Sequence, residues 1–127
     1  MRFAGKKTKI RHSLSNDNMK KIYNKLVRDK IPQICRQDNH IPQYKVINQV
    51  RFKQELKKKL LEESKELIVA DKYKLKDEIA DVHEILLNIA KAYGIRWPEV
   101  EKYRKEKNKK RGSFRKRYFL VSTKSKK

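Results

Sequence analysis

The chain has 127 residues, enough for one domain with a modest core. It carries 36 Lys and Arg against 15 Asp and Glu, a formal net charge of +21, and 40% of its residues are charged, so much of it must stay in water. No apolar run approaches the roughly 18 residues of a membrane span, no signal-peptide core is seen, and the single cysteine, Cys35, excludes an internal disulfide and fits a cytoplasmic, reducing compartment.

His12, His40 and His83 are scattered without zinc spacing. Positive charge gathers at the ends: residues 1–18 hold five basic residues and one acid, and residues 102–127 hold thirteen and one. A field of that size favours polyanions such as nucleotides, RNA, DNA or acidic lipid surfaces. Residues 1–18 lack sustained periodicity and carry Gly, Ser and Asn, which reads as a flexible basic extension. A compact domain is expected over 19–121, opening at Met19, followed by a basic tail over 122–127.

Taken in order, Ile31-Pro32 suits the start of a short helix that ends before Asn39. The stretch HIPQYKVIN from His40 to Asn48 reads as extended and edge-like, because Pro42 lacks an amide donor. Asn48 is placed as the N-cap of a long helix reaching about Ala70. Asp71 to Lys74 form a turn, and a second long helix runs to Tyr93, where Gly94 stops it. Pro98 falls in the first turn of a last helix ending near Gly112. The expected fold is all-α: a helical bundle built on an antiparallel helical hairpin, with a short irregular or extended segment before it.

The two long helices carry acids on their apolar sides. Phe52, Leu56, Leu60, Leu67 and Ala70 form a core-facing stripe in the first, and its gap falls on Glu63. In the second, Leu75, Ile79, Val82, Leu86 and Ile89 form the stripe, with Glu78, Asp81 and Ile85 along its edge. Glu63 and Glu66 are three apart, as are Glu78 and Asp81, so each pair shares a helix face. In an antiparallel hairpin the pairs face each other, and a hard divalent cation, magnesium or manganese, would relieve the repulsion. The alternative is that the acids are solvated and pair with nearby lysines.

Three stretches in this order resemble the MazG-like all-α nucleoside triphosphate pyrophosphatases, in particular a small phosphoribosyl-ATP pyrophosphohydrolase-like branch. They are YNKLVRDKIPQI from Tyr23 to Ile34, the acidic signature EESKE…EIAD from Glu62 to Asp81, and KKRGSFRKRYFL from Lys109 to Leu120. The resemblance covers about residues 19–121 and implies magnesium-dependent hydrolysis to a nucleoside monophosphate and pyrophosphate, perhaps serving to clear modified nucleotides. It implies Glu63, Glu66, Glu78 and Asp81 as metal ligands, with Glu62 and Glu63 as the catalytic acids. It further implies a homodimer or larger assembly. Lys25, Arg28, Lys30, Arg111, Lys116 and Arg117 are the candidates for phosphate oxygens, Arg28 first, because a guanidinium can hold two at once. A local brace through Asp29 is the alternative for KLVRDK, and dipole compensation at a helix end is the alternative for Arg111. Ser113 departs from the branch by standing where a second Gly is usual, a position that would be strained if it needed a positive φ.

A second class of function is a basic helical nucleic-acid-binding module without catalysis, using residues 1–18 and 102–127. Composition supports it, but it leaves the acids on apolar stripes unexplained.

Overall fold

The computed structural model describes residues 19–127, and the basic extension expected over 1–18 lies outside the described residues. Among those described, the chain forms four helices and no strand: α1 (Ile31–Gln37), α2 (Gln49–Val69), α3 (Leu75–Ala92) and α4 (Trp97–Arg111). The architecture is therefore all-α. The chain divides into two compact units, one ending at Gly94 and the other running from Ile95 to Lys127.

Local chemistry sets the helix ends. Asn48 takes an extended conformation (φ −75°, ψ 170°), and its side chain accepts a hydrogen bond from the Arg51 amide at 2.9 Å, satisfying one of the free amides that open α2. In the turn after α2, the Asp71 carboxylate accepts from the amides of Tyr73 and Lys74 at 3.0 and 3.1 Å, and so leads the chain into α3. Gly94 adopts φ +71° just past α3, the left-handed conformation that ends many helices. Asn39, at φ +60°, follows α1 in the same way. Gly112 has φ +79° after α4, whereas Ser113 does not have a positive φ, so the branch's second Gly is not required there by backbone strain. The segment His40–Asn48 forms no strand; no other described strand is present to pair with it, and Ile41 and Val46 are almost fully exposed.

Helix packing is concentrated in the hairpin of α2 against α3. The antiparallel arrangement is visible at both ends. Tyr93, after α3, receives Lys53 and Lys57 from the first half of α2 over its ring, at 4.7 and 5.0 Å from the centroid. At the other end, Glu78 and Asp81 from the start of α3 meet Glu63 from the second half of α2. Leu56, Ile85 and Ala90 are the buried apolar residues of the two helices. A separate small core joins Ile31 and Cys35 of α1 to Tyr23, Val27 and Ile34.

The expected face of α3 is corrected by this packing. Leu75, Ile79 and Leu86 remain 40, 52 and 39% exposed, while Glu78, Asp81 and Ile85 are buried. The buried line lies one residue from the apolar line, about 100° of helix rotation. Turning α3 this way brings its carboxylates inward and leaves much of its apolar stripe outside. In α2 the expected inward position of Glu63 holds.

Two predictions follow from the local contacts. Asn48→Ala should destabilise the protein by about 1 kcal/mol, with Asn48→Gly costing less, as read by thermal or urea unfolding. Burial, followed by the nearby Asp38 charge, pushes the Cys35 thiol up, and burial raises the Tyr23 hydroxyl as well. The folded chain then keeps protons that the unfolded chain releases. Stability should be level below the unfolded thiol range and fall as pH rises through it. Cys35→Ala should flatten that decline in urea titrations between neutral and alkaline pH.

Candidate metal centre

The hairpin gathers three carboxylates from two helices. One oxygen from each of Glu63, Glu78 and Asp81 lies within 4.8 Å of the others, and the three residues are only 1, 3 and 3% exposed. Helical spacing explains the pair on α3, since Glu78 and Asp81 are one turn apart. Glu63 reaches them from the facing helix. Glu66, the fourth expected ligand, is half-buried one turn beyond Glu63 and falls outside this group. It lines an open groove of about 500 Å³ on α2 together with Leu61, Glu62 and Val69.

Cations close the site from the N-terminal side. The segment before α1 is held by Tyr23, Val27 and Ile31 in the small core. Asn24 makes a left-handed turn (φ +46°) that Asn tolerates better than most residues. With those residues turned inward, the intervening basic side chains reach the hairpin. Arg28 Nη2 donates to Asp81 Oδ1 at 2.8 Å, and Lys25 Nζ donates to Glu62 Oε1 at 3.1 Å. The brace formed by KLVRDK is thus Arg28 to a distant acid, rather than Asp29 to a neighbouring lysine. Lys30 sits exposed at the N-cap of α1.

Lys59 belongs to the site although neither its stripe nor its motif marks it. It is 7% exposed, and its ammonium lies 3.8 Å from Glu63 Oε1 and 3.9 Å from Glu62 Oε1. The available signal was its spacing, three and four residues before the two acids, which places all three on one side of α2. The other candidates, Arg111, Lys116 and Arg117, belong to the second unit and are exposed. Glu84 is exposed and accepts from the Asn88 side chain at 2.8 Å.

The donor set fits a hard cation. Three buried carboxylates supply only oxygen, the ligand type that magnesium and manganese prefer. Opposite oxygens around magnesium are about 4.2 Å apart. The observed separations lie within a small side-chain adjustment of that span. Burial raises the cost of leaving such charges uncompensated, and Arg28 and Lys59 supply part of the compensation. No protein-family model, curated protein or solved structure matches the chain.

Arg28→Gln should destabilise the metal-free protein by about 1–3 kcal/mol, because it strips a charged partner from a buried carboxylate. Asp81→Asn should lose less, since the buried charge leaves with its partner. Urea unfolding in EDTA measures both, and equal losses would remove Arg28 as the counter-ion of the site.

Proposed function

We propose that the protein is a metal-dependent nucleoside triphosphate pyrophosphohydrolase of the MazG-like kind, releasing pyrophosphate and a nucleoside monophosphate. The observation that carries this reading is the convergence of Glu63, Glu78 and Asp81 from facing helices, with basic side chains at its edge. Glu63, Glu78 and Asp81 hold magnesium or manganese, and Glu66 adds a ligand by turning from its groove. The cation, when bound, screens the triphosphate and polarises the phosphorus under attack.

The chain's own groups do the remaining work. Arg28 exchanges Asp81 for phosphate oxygens, a role suited to its planar fork. Lys25 neutralises a further oxygen. Glu62, beside Lys25 and Lys59, takes the proton of the attacking water. The water oxygen bonds to the α-phosphorus, the bond to the α,β-bridging oxygen breaks, and pyrophosphate departs with that electron pair. Clearance of modified nucleotides is the role this reaction suits.

Phosphate release, detected after coupling to inorganic pyrophosphatase over a panel of triphosphates, tests the activity. Turnover should require a divalent cation, and Glu63→Gln or Asp81→Asn should lower it by about two orders of magnitude or more without unfolding the protein. Unchanged turnover in both variants would sink the assignment.

The assembly we propose is a homodimer or larger homo-oligomer. Leu61, Ile68, Val69, Leu75, Ile79 and Leu86 are exposed on the hairpin, and the buried apolar core described above is small. A second copy, which carries the same apolar face, would cover it. Sedimentation should give an oligomer at micromolar concentration, and Ile79→Glu should dissociate it; a monomeric wild type with full activity would overturn this.

A second reading is favoured by the C-terminal unit. Phe114, Tyr118 and Phe119 are 93, 85 and 89% exposed among Arg115, Lys116 and Arg117. Aromatic faces between cations suit stacked bases of a single strand. Truncation after Lys110 separates the two roles for this segment. Loss of turnover would give Arg111, Lys116 and Arg117 a part in catalysis, whereas retained turnover with weaker, less salt-dependent oligonucleotide binding would make the segment a nucleic-acid contact.

A further inference from the structure

Beside the carboxylate group lies a second cavity of about 260 Å³, between residues 23–26 and α2. Its lining includes Tyr23, Lys25, Lys58 and Lys59, with Glu55 and Glu62. Three features describe what it could hold. It is smaller than the roughly 300–1,000 Å³ of sites that take drug-sized ligands, so it suits a compact group rather than a whole nucleotide. Its charged lining is three lysines to two glutamates, which favours an anion. Two of those lysines are already committed at the rim, Lys25 to Glu62 at 3.1 Å and Lys58 to Glu55 at 3.4 Å. The third, Lys59, is the buried one.

Lys59 also touches the neighbouring site. Its ammonium lies 3.8 Å from Glu63 Oε1, and Glu63 is a member of the carboxylate group. The same side chain therefore lines the cavity and answers the charge of the candidate metal centre. These separations exceed hydrogen-bond length, so the contact is an ion pair that can be exchanged without breaking a short bond.

We propose that this cavity is a diphosphate subsite: it takes the β,γ-phosphates of the substrate and, after cleavage, inorganic pyrophosphate, with Lys59 as its buried anchor. The proposal rests on the pyrophosphohydrolase reading for its place in the reaction. A divalent cation on Glu63 competes with Lys59 for the same carboxylate. Cation binding thereby releases Lys59 toward the cavity and makes it more attractive to an anion. Occupancy of the two sites is then positively coupled, and by linkage the coupling is the same in both directions. Tyr23 offers its hydroxyl at the wall, and Lys25 and Lys58 supply charge at the rim.

Isothermal titration of the full chain with inorganic pyrophosphate, and separately with magnesium chloride, tests this without relying on turnover. Wild type should bind pyrophosphate about tenfold or more tightly with magnesium than in EDTA, a coupling of about 1.4 kcal/mol. Lys59→Gln should weaken pyrophosphate binding about tenfold in magnesium and shrink the coupling, while magnesium alone still binds. Lys59→Arg should restore part of the anion affinity. If Lys59→Gln fails to fold by circular dichroism, Lys25→Gln and Lys58→Gln carry the test, and each should weaken pyrophosphate binding.

Wild-type pyrophosphate affinity in a folded Lys59→Gln protein would overturn the subsite, as would unaltered affinity in both rim variants. Absence of magnesium binding, with pyrophosphate still held through Lys59, would overturn the metal-dependent reading and the coupling but leave an anion subsite. Magnesium binding without any pyrophosphate binding would do the reverse.

Discussion

The organising constraint in this fold is the burial of like charge between two helices. Glu63, Glu78 and Asp81 are nearly as inaccessible as any side chain described, and their oxygens crowd within 4.8 Å. Such a group repels itself and loses hydration, so it must be compensated by cations or by protons. Arg28 and Lys59 supply cations from two directions, one from the segment before α1 and one from α2 itself. The pairing with Arg28 also ties the N-terminal segment to α3, so the electrostatic requirement of the site becomes a tertiary contact.

The same constraint accounts for the orientation of α3. Its strongest apolar line would bury Leu75, Ile79 and Leu86, yet the helix is rotated to bury Glu78, Asp81 and Ile85. Hydrophobic burial near 25 cal/mol per Å² favours the first arrangement in isolation. The acids sit in the second because their partners lie on that side. The exposed remainder of the apolar face is what a second copy of the chain would cover in the assembly proposed above.

The arrangement also relates charge to chemistry. The chain is strongly basic, but the hairpin concentrates acid at one place and surrounds it with selected lysines and arginines. Under the pyrophosphohydrolase reading, the two signs divide the task between cation and phosphate. A purely nucleic-acid-binding protein would have no use for the buried carboxylates, although the exposed aromatics and basic residues of the C-terminal unit suit that contact on their own.

Much of the local structure was legible in the sequence because it depends on single residues and short spacings. Asn48 as a cap, Pro32 and Pro98 near helix starts, and Gly94 as a stop each act within one turn of chain. The hairpin followed from two periodic runs separated by a few residues, and the inward position of Glu63 from the gap in its stripe. The tertiary structure alone decided which acids meet: Glu78 and Asp81 join Glu63, while Glu66 lies outside the group. It also decided that Arg28 reaches Asp81 across 53 positions of sequence, that α3 turns by one residue, and that Lys59 is buried at the site. Those outcomes depend on where two helices and a loop come together, and helical periodicity specifies a face without naming what will pack against it.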